Sequence, residues 1–514
     1  MKRPHRNRKS SNSFGRALFA ALALGLQIYW IVALAQHAHV YSRFIAVAMD
    51  VIIFLLVIFI HGGRHSPASR YLWIVLILLF PLPGVCLYLL AGQPWATYSM
   101  KRRFDNISRD LSRRLPQDER IISRVQAEDI SAFRQMHYIR RWGKYPVYDN
   151  TQVRFHADTQ TAFDCLKAEL KKARKFIFME YHAIELSACF MEIEAILAER
   201  AAAGVEVRIF YDDVGSISFI EPRFVKRMES KGIQCRMFNP IMPFLNAFMN
   251  NRDHRKITVI DGKVAFTGGY NLADEYFNVK SPYGYWKDTG VMITGDAVVS
   301  FTVMFLEMWN AVKKQDANYS RYILRTKKTS ASDGYVQPYA DSPLDEERVG
   351  ETVYMNLIKS AVRYCYIATP YLILDEEMSF EIASAAKRGV DVRIFTPGIP
   401  DKKIIYHLTR SYYPALLKAG VRIFEYTPGF LHAKQILCDD STAVVGTINL
   451  DYRSLYMHFE NAVFLHKCAA IGDIRADFEE MQGKCREINM DLTRKIPLRT
   501  RLFRNILRLF SPLL

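Results

Sequence analysis

Three long apolar runs dominate the beginning of the chain, at about 17–36, 44–60 and 71–92. The first has no charge and, at about 1.5 Å per residue, would span roughly 30 Å of hydrocarbon as a retained helix. It exceeds the apolar core of a cleaved signal peptide, which is the alternative for this run. The second carries Asp50, a residue that in lipid normally faces a helix bundle. We expect residues 1–98 to form a helical transmembrane region of two or three segments.

The third run has Pro81, Pro83 and Gly84 at its centre, where an uninterrupted helix should not have them. It either crosses the membrane with a kink or dips in and returns. Three full crossings from a cytoplasmic amino terminus would place the later domains outside, yet the basic run KRRF at 101–104 is typical of a cytoplasmic flank. Re-entry removes this conflict, so we expect a multi-pass protein whose later domains face the cytoplasm.

Basic amphipathic segments flank the remaining domains. Residues 99–145 indicate a basic linker that lies either on the membrane surface or in solvent as a helix. Residues 491–514 have apolar side chains at helical spacing with arginines between them: Leu498, Leu502, Ile506, Leu509 and Leu513. A helix lying on anionic lipid is typical of this pattern, and a helix packed on the domain is the alternative.

The region between these segments carries one pattern twice. Apolar strand, helix, glycine and apolar strand follow one another through 171–213 and again through 359–398, where GVEVRIF is matched by GVDVRIF. Strands that alternate with helices are typical of an α/β layer structure. We therefore predict two duplicated α/β domains, at 146–340 and 341–490, with mixed sheets flanked by helices.

Each repeat ends in the same polar motif, DHRKITVIDGKVAFTGGYN at 253–271 and LHAKQILCDDSTAVVGTIN at 431–449. The two motifs match position by position: His254, Lys256, Asp261, Gly268 and Asn271, with His432, Lys434, Asp439, Gly446 and Asn449. The first motif is typical of a hairpin turned by Asp261 and Gly262. Alternate side chains of a strand share a face, so each histidine should point the same way as its lysine.

The charge and cysteine content of the chain limit the classes of ligand that it is expected to bind. The formal net charge is +17, and residues 1–16 and 494–508 each supply six basic residues without an acid. Basic ends bind nucleic acid or anionic lipid, and the apolar neighbours favour anionic membrane lipid over nucleic acid. The eight cysteines contain no C-x-x-C pair, which argues against a zinc site or a disulfide framework and favours buried thiols in cytoplasmic domains.

The paired motifs suit displacement at a phosphodiester. Lysine and asparagine donors would stabilise charge on the phosphate oxygens, and we assign this task to Lys256, Lys434, Asn271 and Asn449. Gly268, Gly269, Gly446 and Thr447 either bring backbone close to the phosphate or are ordinary turn residues. One histidine would attack phosphorus, while the other would protonate the leaving oxygen and then deprotonate an incoming alcohol.

Carboxylates complete the predicted site. Each histidine needs one to fix its tautomer, and Asp288 and Glu460 follow the motifs in apolar, strand-like runs. Asp261 and Asp439 belong to the motifs as catalytic candidates, although their place at turns also suits a structural role or pairing with nearby cations. We expect neither metal nor another cofactor, because each cluster offers lysine where a metal ligand would be wanted.

These residues resemble the phospholipase D superfamily, whose signature is two H-x-K-x4-D motifs each followed by G-[SGT]-x-N. Within it, HRKITVIDGKVAFTGGYNLADEY and HAKQILCDDSTAVVGTINLDYRSLYMHFEN are similar to bacterial cardiolipin synthases, and the likeness includes the apolar segments and the closing LRLFSPLL. Gly269 departs from the pattern, which often has serine there. The resemblance implies one site between the two halves, with His254 as nucleophile and His432 as general acid and base, roles that the near symmetry makes exchangeable.

The resemblance further implies transfer of a phosphatidyl group from one phosphatidylglycerol to another, giving cardiolipin and glycerol through a phospho-histidine at the bacterial inner membrane. Another phosphatidyltransferase, a phospholipase D that uses water, a nuclease or a non-catalytic lipid-binding protein are the rivals. The sequence does not decide the acceptor, the use of phosphatidylethanolamine, the acyl-chain preference or the oligomeric state.

Overall fold

The computed structural model describes residues 18, 21–30, 32–33, 43–63, 67–92, 98–241, 250–324, 334–345, 347–494 and 496–513. The apolar run predicted at 17–36 lies partly outside these residues. The helices are α1 Arg43–His61, α2 Pro67–Leu79, α3 Pro81–Leu87, α4 Tyr98–Ser112, α5 Glu119–Glu128, α6 Ile130–Tyr138, α7 Thr159–Lys172, α8 Ala188–Ala202, α9 Asp213–Ser216, α10 Phe224–Glu229, α11 Val298–Val312, α12 Val349–Ser360, α13 Glu376–Lys387, α14 Lys403–Lys418, α15 Tyr452–Tyr456, α16 Ala470–Gly483, α17 Met490–Arg494 and α18 Leu498–Leu509. Short π-helical turns follow α3 and α6, at Tyr88–Gly92 and Ile139–Gly143, and a 3-10 turn follows α18 at Ser511–Leu513.

The strands fall into two halves of the chain. In the first half they are β1 Thr151–His156, β2 Phe176–Tyr181, β3 Glu206–Asp212, β4 Gln234–Phe238, β5 Arg252–Asp253, β6 Lys256–Ile260, β7 Val264–Gly268, β8 Tyr285–Lys287 and β9 Gly290–Gly295. In the second half they are β10 Tyr335–Asp341, β11 Tyr364–Ala368, β12 Asp391–Pro397, β13 Arg422–Tyr426, β14 Gly429–Leu431, β15 Gln435–Cys438, β16 Thr442–Gly446, β17 His458–His466 and β18 Cys485–Ile488.

The two sheets repeat one topology. The first has the order β1-β9-β7-β6-β2-β3-β4, and the second has the order β10-β17-β16-β15-β11-β12-β13-β18. In each, three strands are parallel, β2-β3-β4 and β11-β12-β13, while the hairpins β6-β7 and β15-β16 are antiparallel. The prediction of two duplicated domains with mixed sheets is confirmed. The hairpin at Asp261 and Gly262 is also confirmed, and both residues have positive φ, 54° and 64°.

The domain boundary differs from the prediction. β10 pairs with β17 along its whole length, from Tyr335 opposite His466 to Asp341 opposite Glu460. The second sheet therefore begins before residue 340, where the sequence had placed the end of the first domain. The strand's own sequence carries no motif, so the sequence pattern did not identify its partner.

The segment predicted as a basic linker at 99–145 is part of the folded core of the two domains. Apolar side chains of its helices α4, α5 and α6 are buried in the main hydrophobic core. They include Phe104, Leu111, Val125 and Met136. The ring of Phe104 lies 5.6 Å from that of Phe459 in β17. Neither a surface helix on lipid nor a solvated helix describes this segment, because its apolar face is already buried against both domains.

The third apolar run folds back on itself. α2 ends at Leu79 and α3 begins at Pro81, and the rings of Trp73 and Tyr88 lie 5.4 Å apart. Gly84 lies against the backbone of Ile77, because a Cβ at 84 would stand 2.7 Å from the Cα of Ile77. The run is a helical hairpin broken at the prolines. Within the part of the chain that the structure describes, no helix combines the length and the apolar character needed to cross a membrane.

Candidate active site

Two histidine–carboxylate pairs cross between the domains. His254, just before β6, has its Nδ1 2.8 Å from Glu460 Oε1 in β17 of the second domain. His432, just before β15, has its Nδ1 2.6 Å from Asp288 Oδ2, just after β8 of the first domain. Each domain therefore supplies the histidine of one pair and the carboxylate of the other. With Nδ1 bonded to the carboxylate, each imidazole keeps Nε2 for a substrate.

Two short strand pairings hold these side chains in place. β5 of the first domain pairs with β17, and the amide of His254 donates to the carbonyl of Phe459 at 2.9 Å. β8 pairs with β14 of the second domain, and the amide of His432 donates to the carbonyl of Lys287 at 2.7 Å. The same backbone arrangement thus places each histidine beside the carboxylate strand of the other domain.

The motif lysines lie in the same buried site. Lys256 Nζ donates to the carbonyl of His254 at 2.6 Å, and Lys434 Nζ donates to the carbonyl of His432. Burial lowers the pKa of Lys256 to about 7 and that of Lys434 to about 8, and each ammonium also lowers the pKa of a histidine. The Lys434 ammonium also lowers the pKa of Lys256, so the negative charge of a phosphodiester would favour the charged forms of both lysines.

The histidines are held towards the neutral form. Burial lowers the pKa of His254 well below its usual value, with further lowering by Lys256. Burial and Lys434 lower the pKa of His432 to about 4, against the opposing effect of Asp288. Burial raises the pKa of Glu460 well above its usual value. His254 is therefore held in its neutral form, as a nucleophile must be.

The asparagines and Thr447 position other groups of the site. Asn271 Oδ1 accepts from the amide of Ala183 at 3.0 Å, and its Nδ2 donates to Tyr276. Asn449 Oδ1 is buried and, among the described residues, has no hydrogen-bond partner. Thr447 Oγ1 donates to Glu460 Oε2, so this hydroxyl orients the carboxylate.

The motif glycines are required by close packing. A Cβ at Gly268 would stand 2.5 Å from the carbonyl oxygen of Thr289, and one at Gly446 would stand 2.4 Å from that of Asn461. A Cβ at Gly269 would stand 2.1 Å from Asp288 Oδ1, so the carboxylate fills the space that a side chain at this position would need. These contacts favour the structural alternative over approach to a phosphate.

Asp261 and Asp439 do not reach the histidines. Asp261 accepts from the amides of Arg174, Lys175 and Phe176 at 2.8, 2.7 and 3.0 Å. Asp439 accepts in the same way from the three amides that precede and begin β11, those of Val362, Arg363 and Tyr364. The catalytic assignment of these aspartates is therefore replaced by a structural one: each ties the motif hairpin to the adjacent parallel strand.

The structure adds side chains that the sequence reasoning missed. His182 and His458 lie beside His254, with ring centroids 5.0 and 5.4 Å away. The rings of Tyr276, Trp286 and Phe430 surround His432. His182 stands at the end of the apolar strand FIFMEY, which is the one signal that could have found it. The others lie next to predicted residues but match no motif.

Among the residues that the structure describes, one group of side chains has metal-ligating chemistry. His254, His458 and Glu460 each offer a ligand atom, and these atoms lie within 4.8 Å of one another. His254 Nδ1 is already bonded to Glu460, and the cationic Lys256 and Lys434 both act on His254 electrostatically. A divalent cation would meet that positive field, so the donor set fits a histidine–carboxylate pair better than a metal centre.

The chain matches known families along most of its length. Residues 166–309 and 354–482 match the family described as cardiolipin synthase, PLD-like domain. Residues 48–93 match the family described as phospholipase D-nuclease N-terminal. The first match includes both histidines and both carboxylates.

Similar proteins cover nearly the whole chain. A cardiolipin synthase from Alkalihalophilus pseudofirmus is 31% identical over 99% of this chain and 100% of its own length. An uncharacterized protein from Streptococcus mutans is 43% identical over 89% of this chain and 99% of its own. A phosphatidylserine synthase from Haemophilus influenzae, a solved structure, has a TM-score of 0.53 and 14% identity over 70% of this chain and 93% of its own, a likeness of fold.

Proposed function

The chain belongs to the cardiolipin synthase family of phospholipase D-like proteins, and on this premise we propose that it transfers a phosphatidyl group from one phosphatidylglycerol to another, giving cardiolipin and glycerol. The single observation that carries the proposal is the pair of buried histidine–carboxylate contacts, with two buried lysines that act electrostatically on both histidines. A protein that only bound anionic lipid would need positive charge but not two oriented imidazoles.

In the first step His254 Nε2 attacks phosphorus. The bond from nitrogen to phosphorus forms, the bond from phosphorus to the glycerol oxygen breaks, and His432 gives its proton to that oxygen. Lys256 and Lys434 stabilise the charge that gathers on the phosphate oxygens. The pKa of His432 is lowered to about 4, and the negative charge of a bound phosphodiester would raise it, so that His432 can take up and hold the proton that the step needs.

In the second step a hydroxyl of another phosphatidylglycerol takes the place of the glycerol. His432 removes its proton, the new oxygen–phosphorus bond forms, and the bond to His254 breaks, which restores both histidines. The assignment of His254 as nucleophile is supported by its surroundings. Burial, both lysines, His182 and His458 lower the pKa of His254. At His432, Asp288 opposes the lowering by burial and both lysines, and the pKa is about 4.

We further propose that the site works at the cytoplasmic face of the inner membrane. From their sequences, the first two apolar segments would cross the bilayer, although no described helix meets the length and hydropathy of a span. The α2-α3 hairpin would enter and return, which leaves the catalytic domains on the side of the amino terminus. Exposed apolar side chains on α1, such as Phe54 and Phe59, support this placement. A membrane-impermeant thiol reagent should label Arg120→Cys only after the cells are opened, and labelling of intact cells would contradict the placement.

Purified protein in vesicles that contain phosphatidylglycerol as the only lipid tests the function. We expect cardiolipin and free glycerol in equal amounts from the wild type, and neither from His254→Ala or His432→Ala. Phosphatidic acid as the main product would make the protein a hydrolase. Cleavage of DNA without lipid turnover would make it a nuclease.

A further inference from the structure

The two halves of the site share one backbone frame. The pairing of β14 with β8 places Phe430 opposite Trp286, and that of β17 with β5 places His458 opposite Arg252. Trp286 and His458 each stand two residues before a site carboxylate, and Phe430 and Arg252 each stand two residues before a site histidine. The frame is duplicated, but the side chains that it carries differ.

The half around His432 is lined by an aromatic wall, which consists of Tyr276, Trp286 and Phe430. Their ring centroids lie 5.5, 5.1 and 5.7 Å from that of His432. Trp286 and Phe430 are buried, and their centroids lie 4.8 Å apart. Asn271 Nδ2 donates to the Tyr276 hydroxyl at 2.9 Å. Backbone pairing holds two of the rings and a hydrogen bond holds the third, so the wall is preorganised.

The half around His254 has polar and basic side chains at the corresponding positions. His458 takes the place of Trp286, and Arg252 takes the place of Phe430. Arg453 Nε lies 3.3 Å from His458 Nε2, and Arg453 and Arg252 both lower the pKa of His458. The contrast between the halves is therefore chemical: rings with apolar faces stand on one side of the phosphate position and basic groups on the other.

We propose that the aromatic wall is the alcohol subsite, where the glycerol head group leaves in the first step and the acceptor head group enters in the second. This inference rests on the proposed function. Attacking and leaving groups lie roughly in line at phosphorus, so the alcohol occupies the side opposite His254, where His432 stands. The CH groups of glycerol pack against the ring faces, while its reacting hydroxyl meets His432.

The same wall keeps water from the phosphatidyl-enzyme. A closed apolar lining prevents hydrolysis of a reactive intermediate. Water at this position would form an oxygen–phosphorus bond, give its proton to His432 and break the bond to His254, which yields phosphatidic acid. The wall thus favours transfer over hydrolysis and makes Trp286 and Phe430 specificity-determining residues.

Product ratios in phosphatidylglycerol vesicles test this subsite. Trp286→Ala is expected to lower the ratio of cardiolipin to phosphatidic acid at least fivefold, and Trp286→Phe, which keeps a ring, should stay within twofold of the wild type. In the reverse reaction, cardiolipin with added glycerol, Trp286→Ala should raise the KM for glycerol more than it lowers kcat. Tyr285→Ala is the matched control, because this exposed neighbour on β8 bonds Asp158 instead.

The outcomes separate this inference from the proposed function. If the wild type makes no cardiolipin, the proposed function fails. If the wild type makes cardiolipin but Trp286→Ala lowers both products in the same proportion, or Trp286→Phe changes the ratio as much as Trp286→Ala, the aromatic wall is not the alcohol subsite. An unchanged KM for glycerol in Trp286→Ala would overturn it as well.

Discussion

His254 Nδ1 lies 2.8 Å from Glu460 Oε1, although 206 residues separate them in the chain. In this contact the first domain supplies the histidine and the second the carboxylate. In the contact between His432 and Asp288 the second domain supplies the histidine and the first the carboxylate. Neither domain alone supplies both the histidine and the carboxylate of either pair. The active site therefore exists only when both domains are folded and docked.

The carboxylate of Asp288 should set the pH range of activity. It raises the pKa of His432 against the lowering by burial and Lys434, so in Asp288→Asn this pKa should fall further. His432 must be protonated to act as an acid, and the basic limb of the pH–activity profile should therefore move to lower pH, with a rate loss of about 10²- to 10⁴-fold. Glu460→Gln is the control: it should lose a similar rate without moving that limb. A basic limb at the wild-type position in Asp288→Asn would contradict this role.

Asp261 should affect stability rather than chemistry. Asp261→Ala removes the acceptor for three amides, and we expect the free energy of unfolding to fall on the order of 3 kcal/mol. Asp261→Asn keeps the oxygen that accepts from Lys175 and Phe176 and should lose less. Denaturant unfolding and activity per folded molecule measure the two effects. A fully stable Asp261→Ala protein without turnover would restore the catalytic assignment.

The buried histidines should make the fold sensitive to acid. The pKa of His432 falls from 6.5 to about 4 on folding, and that of His182 falls to about 3. As the pH falls, these histidines become protonated in the unfolded chain near pH 6.5 but in the folded protein only near pH 4 or below. Their contribution to the free energy of unfolding is therefore fully present above pH 6.5 and is lost as the pH falls towards 4. Unfolding midpoints between pH 7 and 4.5 should decrease, and His182→Gln should make the decrease shallower. Equal slopes for the two proteins would exclude this contribution of His182.

The carboxyl-terminal helix should lie on lipid. α18 packs on the second domain through Phe503, whose ring lies 5.7 Å from that of His407, and through Arg508 over Tyr412. Its remaining apolar face is exposed at Leu498, Leu502, Ile506 and Leu509. The packing on the domain that the sequence allowed is thus observed, and the exposed apolar face keeps lipid binding as a prediction.

A fluorophore on Leu502→Cys in reconstituted vesicles measures this placement. We expect quenching by brominated lipid, because the exposed leucine face would enter the interface. The same fluorophore on Val362→Cys, an exposed apolar position outside the tail, should remain unquenched. Equal quenching at the two positions would contradict the placement of α18.

The sequence predicted the fold to the extent that local patterns determine it. Two copies of one motif indicated the duplication, and Asp261 with Gly262 predicted the hairpin. The helices at 98–138 were misjudged because their many charged residues hide an apolar face, which the structure buries at Phe104 and Leu111. Strand β10 was missed because its partner β17 lies more than a hundred residues away.

The site could be predicted in its members but not in its pairing. Asp288 and Glu460 were identified because each histidine needs a carboxylate. The docking of the domains decides the pairing, in which the carboxylate of each domain bonds the histidine of the other domain. The aromatic side chains around His432 and the polar ones around His254 could not be predicted from the sequence, for a related reason. Phe430 and Trp286 become neighbours through β14 and β8, strands from different domains.

The most direct test of the paired-histidine account uses a phosphatidyl ester of p-nitrophenol, whose leaving group needs no protonation. His432→Ala should release about one equivalent of p-nitrophenol per active site and then stall as a phosphatidyl-enzyme, because the acceptor finds no base. His254→Ala should release none. A burst of p-nitrophenol from His254→Ala and none from His432→Ala would make His432 the nucleophile and His254 the general acid and base. Steady release without a burst from either variant would contradict the covalent two-histidine mechanism.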